Sequence, residues 1–576
     1  MISATGPSTA TKIAAVAGGA LAGLAAWALG DPLASMGVSP RLHLALALPV
    51  AVFFAAALPA LGPLSAPRAA VLGAGLAVPL TVLTLLASFR FDDAIAFVES
   101  AHALMAVLVV VVIAVPILIA ALRPGQHWRR YDDLFGNAWD IVLRCALAVA
   151  FAGLGWLVLF LGDTLLDLVG IDAIARLFDD DPQRFTLTGL LIGLALAALA
   201  ETGLGKGQAQ VLRLLRLLVP VVMAVTAVFL VAFPLQGLSS EAFGVLSEAG
   251  TLMAMAFAAA LLVTATAGAD DDRAARSATL RWCAAVLALL LPALSGLALV
   301  AVGLRVGQYG WTPDRLAAAS IAVVLAGHGV VYAVAVLRGA GWMARLRQGN
   351  VAMAGVTVLV ALAWLTPVLD PQRISASSQE RRFARGAVSV EALDLAAMAR
   401  DWGRSGDAAA ERLATGDTPE AAALRERLDA IGSGRRDAPR LGTPRGRVDL
   451  AETLPTVGGA PVTSEMLGAL NEWLLGQIAD GCARATGEGR PGCLVIRAEL
   501  LEAGAGDEAV IAYHDDTDTP RLIVLAERDG QWTSNAALEI DGAAPDIDTL
   551  AADPPGGAAA PLRMLPLGQG GLVVLP

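Results

Sequence analysis

Long apolar segments recur along this sequence from its beginning to about residue 369. A helix needs about 20 predominantly apolar residues to cross the hydrocarbon core of a bilayer. Only 16% of the residues are charged, whereas soluble domains contain about 25%. We therefore predict an α-helical polytopic membrane bundle of about eleven spans, at residues 12–30, 42–62, 69–89, 101–122, 141–161, 186–200, 217–237, 251–268, 283–303, 320–337 and 351–369.

The distribution of Lys and Arg predicts the orientation of these spans. Loops on one side of the predicted bundle carry 14 of these residues, and loops on the other side carry 6. Basic residues are enriched in cytoplasmic loops. We therefore expect the N-terminus in the cytoplasm and, after eleven spans, a C-terminal domain in the periplasm or outside the cell. The predicted location is the cytoplasmic (inner) membrane, with the lipid bilayer as the first partner.

The composition changes after residue 369. From Pro371 to the end, 20 arginines oppose 31 acidic residues, so the net charge of −11 resides in this part of the chain. Phosphate binding needs clustered cations, so this surplus argues against a nucleic-acid partner. Helical patterns followed by short β-like runs predict a small α+β soluble domain. We divide the chain into a transmembrane domain at 1–369, a helical segment and linker at 370–447, and an extracytoplasmic α+β domain at 448–576.

Within this C-terminal part, capping residues and periodicity predict individual elements. Ser389 is expected to cap a helix over 390–402, with Gly403 as its stop. The other predicted helices cover 419–432 and 465–483. The predicted strands cover 493–500, 508–514, 521–527 and 532–540.

Two cysteines of the C-terminal domain form a candidate disulfide. Cys482 ends a predicted helix, Cys493 begins a predicted strand, and the Gly-rich segment between them allows the chain to turn back. An extracytoplasmic compartment permits such a bond, which would stabilise the domain by up to roughly 3 kcal/mol in the chain-entropy model. The alternative is a pair of unbonded, apolar cysteines.

Polar residues inside membrane spans are pointers to function. His328 lies near the middle of the tenth predicted span between two glycines, and Tyr332 follows one turn later. We treat His328, Tyr332, Arg144 and Glu201 as a candidate intramembrane polar site. For His328 the alternative is simple packing in the bundle. For Arg144 the alternative is an ion pair with Asp140, four residues earlier on the same helix.

Three segments of the chain occur together in an informative order. They are RRYDDLFGNAW at 129–139 with LLDLVGIDAIARLF after the fifth span, LRVGQYGWTPDRLAA at 304–318, and LDPQRISASSQERRFARG at 369–386. The pattern resembles the bacterial multi-pass membrane proteins grouped as domain of unknown function 4153. The resemblance implies no catalytic residues. It implies an outer domain whose Asp/Gly-rich loop suggests a bound cation, but segment 500–510 here lacks the regular Asp ligands.

Several functions stay open at this point. The first is a structural, scaffolding or signalling protein whose extracytoplasmic domain binds an envelope protein or glycan. The alternative is a transporter or lipid-handling protein, although coupled transporters usually need intramembrane carboxylates or paired broken helices. An intramembrane enzyme is the least favoured, because the sequence offers no nucleophile–base set. No cofactor and no metal site are predicted.

Overall fold

The computed structural model describes most of the membrane-spanning part and much of the C-terminal part. The described residues are 8–30, 32–33, 37–167, 181–201, 205–235, 249–390, 392–437, 444–470, 472–484, 486, 489–498, 508–514, 520–528, 531–535, 539–541, 547–552, 564–567 and 570–573. The chain packs as two compact units, 1–428 and 429–576.

Helices make up the described part of the first unit. They are α1 Thr9–Ala28, α2 Pro40–Ala60, α3 Ala66–Ser88, α4 Ala94–Glu99, α5 His102–Leu122, α6 Tyr131–Asp167, α7 Asp181–Glu201, α8 Gly205–Leu235, α9 Ala249–Ala267, α10 Ala278–Tyr309, α11 Pro313–Leu337, α12 Trp342–Trp364, α13 Pro371–Ala384, α14 Leu395–Arg400, α15 Gly403–Ala414 and α16 Pro419–Asp437. A short 3-10 helix, Pro367–Leu369, links α12 to α13.

Eleven helices in the described residues are long and apolar enough to cross a membrane. Each overlaps one of the eleven predicted spans, so the predicted polytopic bundle is confirmed. The seventh predicted span lengthens most at its start, because α8 begins at Gly205 rather than near residue 217. Side-chain caps fix several helix starts. Thr312, for example, accepts a hydrogen bond from the backbone of Arg315 and precedes Pro313, the first residue of α11.

The bundle contains two large apolar cores. The first core is built mainly by α2, α3 and α5, and it includes Ala56, Ile119 and Leu80. The second core is built mainly by α9, α10 and α11, and it includes Val263, Leu287 and Ala322. Helices α11 and α12 contribute to both cores, so they join the two halves of the bundle.

One predicted helix after the last span is wrong in its limits. The helix expected over residues 390–402 begins instead at Leu395, where Asp394 accepts a hydrogen bond from the backbone of Ala397. Gly403 does not stop this helix but begins α15. An Asp at the N-cap competes with Ser389 for the same role, and sequence alone did not separate the two.

The second unit contains an α+β fold, as predicted. In its described residues, helices α17 Pro444–Thr453, α18 Glu472–Ala483 and α19 Ile547–Ala552 accompany eight strands, with a 3-10 turn at Met466–Ala469. The strands are β1 Thr456–Val457, β2 Cys493–Ala498, β3 Glu508–His514, β4 Pro520–Arg528, β5 Gln531–Asn535, β6 Glu539–Asp541, β7 Met564–Leu567 and β8 Gly570–Val573.

A five-stranded sheet in the order β1-β2-β3-β4-β5 forms the centre of this unit. Among the strands that the structure describes in this sheet, β1 and β2 pair in parallel and the other neighbours pair antiparallel. Alternate residues point to opposite faces: Val495 and Ile511 pack with Ile478 of α18, whereas Ile496 and Val510 pack in a second cluster with α19. Both faces of the sheet are therefore covered.

The last predicted strand is wrong. Residues 532–540 were expected to form one strand, but β5 belongs to the five-stranded sheet and β6 belongs to a separate sheet of order β6-β8-β7. Hydrophobic periodicity does not show where one strand ends and the next begins when the residues on both sides have strand-like composition.

Candidate functional site

His328 and Tyr332 lie one turn apart on α11, as the sequence predicted. Their ring centroids are 6.0 Å apart in an edge-to-face arrangement. The Nδ1 atom of His328 is 2.9 Å from the carbonyl oxygen of Val324. A carbonyl oxygen can only accept, so Nδ1 donates, and in the neutral imidazole Nε2 carries the lone pair. His328 is half-buried, whereas Tyr332 is buried.

Tyr332 is hydrogen-bonded to two other spanning helices and is linked to a third through Asn350. Its hydroxyl donates to Asn350 Oδ1 of α12 at 2.7 Å, so the hydroxyl of Thr264 on α9, 2.9 Å away, is the donor in their contact. Asn350 Nδ2 donates in turn to the hydroxyl of Tyr131 at the start of α6, at 3.4 Å. We call Tyr131, Thr264, Tyr332 and Asn350 the polar junction.

Arg347, one turn before Asn350 on α12, holds the end of α9. Its Nη2 and Nε atoms donate to the carbonyl oxygens of Ala267 and Gly268, at 2.7 and 3.2 Å, and Nη1 lies 2.7 Å from Asp271. The residue is 7% exposed. The last carbonyl oxygens of a helix have no hydrogen-bond donor within the helix. A cation placed on them supplies that donor and interacts favourably with the helix dipole. Arg347 therefore fixes α9 against α12.

Arg144 belongs to a different place in the bundle. From Tyr131 to Arg144, α6 rises by about 20 Å, so Arg144 is separate from the polar junction. Its Nη2 is 2.7 Å from Asp140 Oδ2, and its Nε and Nη1 atoms are buried without a hydrogen-bond partner. Glu201 ends α7, but its side chain lies outside the described residues. The structure thus brings together two of the four candidate residues, His328 and Tyr332.

At the other end of the bundle, α13 is bonded to the turn between α10 and α11. Gln379 donates to the carbonyl oxygen of Tyr309 at 2.9 Å, and Arg382 donates to the carbonyl oxygen of Gly307 at 2.8 Å. The backbone N–H of Trp311 donates to Ser378 at 3.1 Å. Two of the segments singled out in the sequence, 304–318 and 369–386, therefore pack directly on each other. We call this contact the clasp.

Arg90 ties the neighbouring loop after α3 to the end of α12. Its two terminal nitrogens donate to the carbonyl oxygens of Trp364 and Thr366, at 3.0 and 2.8 Å. Its Nε is 3.6 Å from the carboxylate of Asp370. Burial lowers the pKa of the Arg90 guanidinium, and Asp370 opposes that shift. All three parts of this guanidinium thus have a partner.

The stretch of chain that contains the clasp and most of the spans matches a known family model. The family model described as Domain of unknown function (DUF4153) matches residues 43–412. The chain belongs to this DUF4153 family. The match covers every span from α2 onward, the clasp and the helices up to α15. No curated protein and no solved structure matches the chain.

A close backbone contact between two helices of this DUF4153 protein was missed by sequence reasoning. Helices α1 and α7 cross in opposite directions through Gly19 and Gly23 on one and Gly189 and Gly193 on the other. A methyl group added at Gly19 would overlap the carbonyl oxygen of Gly189, and one added at Gly189 would overlap that of Gly19. Two small-xxx-small spacings, the usual signature of close packing in membranes, were present in the sequence.

In the C-terminal unit of the DUF4153 protein, Cys482 and Cys493 are joined. Their sulfur atoms are 2.09 Å apart and their Cα atoms are 4.7 Å apart, which links α18 to β2. Cys145 and Cys283 of the bundle are free thiols. Of the segment 500–510 that the resemblance associated with a cation, residues 500–507 lie outside the described residues and the rest belongs to β3.

The polar junction and Arg347 position helices rather than assemble reactive groups. Each hydroxyl and amide of the junction contacts another member, and Arg347 contacts backbone carbonyls. Among the described residues no group of three or more His, Cys, Asp or Glu side chains is placed to hold a metal ion. The residues that sequence reasoning missed here are Thr264, Asn350 and Arg347. Asn350 and Arg347 had a visible signal, because they precede the apolar run of the last span.

Proposed function

We propose that this integral membrane protein is a scaffolding or signalling component of the bacterial inner membrane. In this proposal the transmembrane domain at 1–369 anchors the chain in the membrane, and the domain at 448–576 lies outside the cytoplasm. The segment at 370–447 links these two domains along the chain. Outside the cytoplasm, the domain at 448–576 binds an envelope partner, either a protein or a glycan. The observation that best supports this location is the disulfide bond in the C-terminal unit, because structural disulfides occur mainly in oxidising compartments.

The C-terminal unit also has the properties of an independent binding module. Its sheet carries apolar clusters on both faces, with Leu475 and Ile478 on one and Ile547 and Leu550 on the other. A domain with its own core can present a surface to a partner without help from the bundle. Its acidic composition favours a basic or neutral partner over an acidic one.

The polar side chains of the spans support scaffolding over coupled transport. A transporter uses intramembrane charges that exchange partners during its cycle. Here Arg347 is committed to the carbonyl oxygens at the end of α9, and Tyr332 is committed to Thr264 and Asn350. These contacts hold helices at fixed positions, which suits a protein that supports a domain outside the membrane.

The first experiment tests the location of the domain through its thiols. The full chain is isolated from its native membrane, denatured, and labelled with a maleimide before and after reduction. We expect two additional reactive thiols after reduction, and the Cys482→Ser variant should lose that gain. Cys283→Ser serves as the control, because Cys283 is a free buried thiol of the bundle and its loss should leave the gain unchanged.

A topology experiment must agree with the thiol count. Alkaline phosphatase and a cytoplasm-only fluorescent protein are fused separately after Pro576. An active phosphatase fusion with a dark fluorescent fusion supports the proposal. A bright fluorescent fusion, or four reactive thiols without reduction, would place the domain in the cytoplasm and end the proposal.

The partner is tested by photo-crosslinking in living cells. A photoreactive phenylalanine analogue is placed at Thr533 or Thr549, two exposed positions of the C-terminal unit. The control position is Phe160, which is 68% exposed on a spanning helix. For a protein partner, we expect an adduct of defined mass from Thr533 or Thr549 and none from Phe160. For a glycan partner, we expect the protein to be retained on purified cell-wall glycan. If neither position gives an adduct and the glycan does not retain the protein, the binding function is wrong.

A further inference from the structure

A groove runs beside the crossing of α1 and α7. Its volume is about 340 Å³, within the roughly 300–1,000 Å³ of typical ligand sites. It is lined by Gly19, Ala22, Gly23, Ala26, Leu58, Arg184, Phe185, Thr188, Gly189 and Ile192. Ala26 is exposed and Phe185 is 45% exposed, so the groove opens to the outside of the bundle. An unfilled apolar groove there forfeits dispersion contacts along its whole lining.

The groove has one hydroxyl in its lining, and that hydroxyl already has partners. Thr188 donates to the carbonyl oxygen of Arg184 at 2.8 Å and accepts from the indole N–H of Trp156 at 3.0 Å. The remaining lining away from Arg184 is aliphatic or aromatic. An occupant of this part must therefore be apolar, and a flexible chain suits a narrow groove between two closely packed helices.

The first turn of α7 places two opposite charges beside this apolar lining. Arg184 lines the groove itself, and its Nη1 atom is 3.6 Å from Asp181 Oδ1. Both side chains are about half exposed, at 49% and 60%. A cation and an anion this close match a head group that carries both a phosphate and an amine. An anionic head group without the amine would meet Asp181 as a like charge.

We propose that the groove binds one acyl chain of an ethanolamine phospholipid, with its phosphate on Arg184 and its ammonium on Asp181. The proposal is independent of where the C-terminal domain lies and of what that domain binds. It assigns the glycine crossing of α1 and α7 a second consequence, because Gly19, Gly23 and Gly189 of the crossing also line the groove.

The test uses the purified full chain after removal of lipid. Native mass spectrometry measures retention of a phosphatidylethanolamine and, in parallel, of a phosphatidylglycerol with the same acyl chains. We expect the ethanolamine lipid to bind at least tenfold more tightly. The Ala26→Leu variant fills the groove and should lose this binding at least tenfold. Ala17→Leu is the matched control, because Ala17 is exposed on the same helix and does not line the groove.

Head-group recognition is tested by Arg184→Gln and Asp181→Asn. Asp181→Asn should remove most of the preference for ethanolamine over glycerol, whereas Arg184→Gln should weaken the binding of both lipids, because both carry the phosphate. Both proteins should unfold thermally like the parent in lipid-free detergent. A diazirine-bearing acyl chain on the ethanolamine lipid should crosslink to residues of α1 or α7. Equal retention by Ala26→Leu and Ala17→Leu, equal binding of the two lipids, or crosslinks spread over the whole bundle would each overturn the proposal.

Discussion

The contacts at the crossing of α1 and α7, in the first half of the bundle, differ in kind from those at the polar junction, in the second half. Around the first core, α1 and α7 meet backbone to backbone through Gly19 and Gly189, and buried hydroxyls such as that of Thr84 have no hydrogen-bond partner. Around the second core, Tyr332, Asn350 and Arg347 link helices through hydrogen bonds. One chain therefore contains a helix contact that depends on close fit and another that depends on hydrogen bonds.

The difference teaches where each half is sensitive. Lipid tails are as apolar as leucine, so helix association in a membrane depends on van der Waals fit and on interhelical hydrogen bonds. A half that relies on fit should be damaged by an added methyl group. A half that relies on hydrogen bonds should be damaged by the removal of a single polar atom. Four substitutions test this distinction, and each has a matched control.

The largest effect is expected from a methyl group at the glycine crossing. Gly189→Ala places a Cβ atom where it overlaps the carbonyl oxygen of Gly19 and comes within 2.9 Å of the backbone nitrogen of Gly23. Backbone atoms cannot move aside cheaply, so we expect a loss of about 3 kcal/mol in the free energy of unfolding. The measurement is unfolding by SDS titration.

The control for the crossing is Gly75→Ala. A Cβ added at Gly75, in α3, meets nothing within 4 Å, and alanine is a better helix former than glycine. This variant should be as stable as the parent or slightly more stable. Equal losses at Gly189 and Gly75 would show that the crossing has no special role.

The next largest effect is expected from Arg347→Met. The substitution leaves the carbonyl oxygens of Ala267 and Gly268 without their donor and removes the contact with Asp271. Hydrogen bonds to a charged group contribute about 1.5–3 kcal/mol each, but the substitution also removes a buried charge whose desolvation is costly, so we expect a net loss of about 2 kcal/mol. Unfolding by SDS titration again gives the value.

Arg276→Met is the control for charge. Arg276 is exposed in the loop between α9 and α10, and its replacement removes one positive charge from the same end of the bundle. Surface substitutions usually change stability by less than about 0.5 kcal/mol. If the two variants lose the same stability, net charge rather than the cap on α9 is responsible.

A smaller loss is expected from Tyr332→Phe. The hydroxyl bridges Thr264 and Asn350 in a buried setting, and its removal leaves both partners unsatisfied at a cost of about 1.5 kcal/mol. Tyr309→Phe is the control, because Tyr309 is 52% exposed and should show no change. Thermal unfolding that is unaltered in Tyr332→Phe would mean that water replaces the hydroxyl.

The smallest effects should differ in sign. Thr84→Val removes a buried hydroxyl without a partner and should stabilise the protein by about 1 kcal/mol. Thr264→Val makes the same chemical change at a hydroxyl that donates to Tyr332, and it should destabilise by about 1 kcal/mol. If both variants change the free energy of unfolding in the same direction, the distinction between the two halves is wrong.

The membrane spans and most elements of the C-terminal unit were predictable from the sequence. Apolar length is a local property, since every residue of a span meets lipid or other helices regardless of its partners. A short run of strand-forming residues is also a local property. It predicted β3 at 508–514, which are its limits in the structure. The pairing of Arg144 with Asp140 was also within reach, because residues four apart on a helix are neighbours.

Only the tertiary structure decided which distant groups meet. Thr264, Asn350 and Tyr131 come from three different helices, and no local pattern states that Tyr332 connects them. The same holds for the crossing of α1 with α7, where two glycine spacings in separate spans become one contact. The sequence by itself determined that this chain crosses a membrane many times and carries a small acidic α+β unit. The folded chain determined which side chains hold the helices in place, because such contacts depend on the arrangement of whole helices and not on the composition of any one segment.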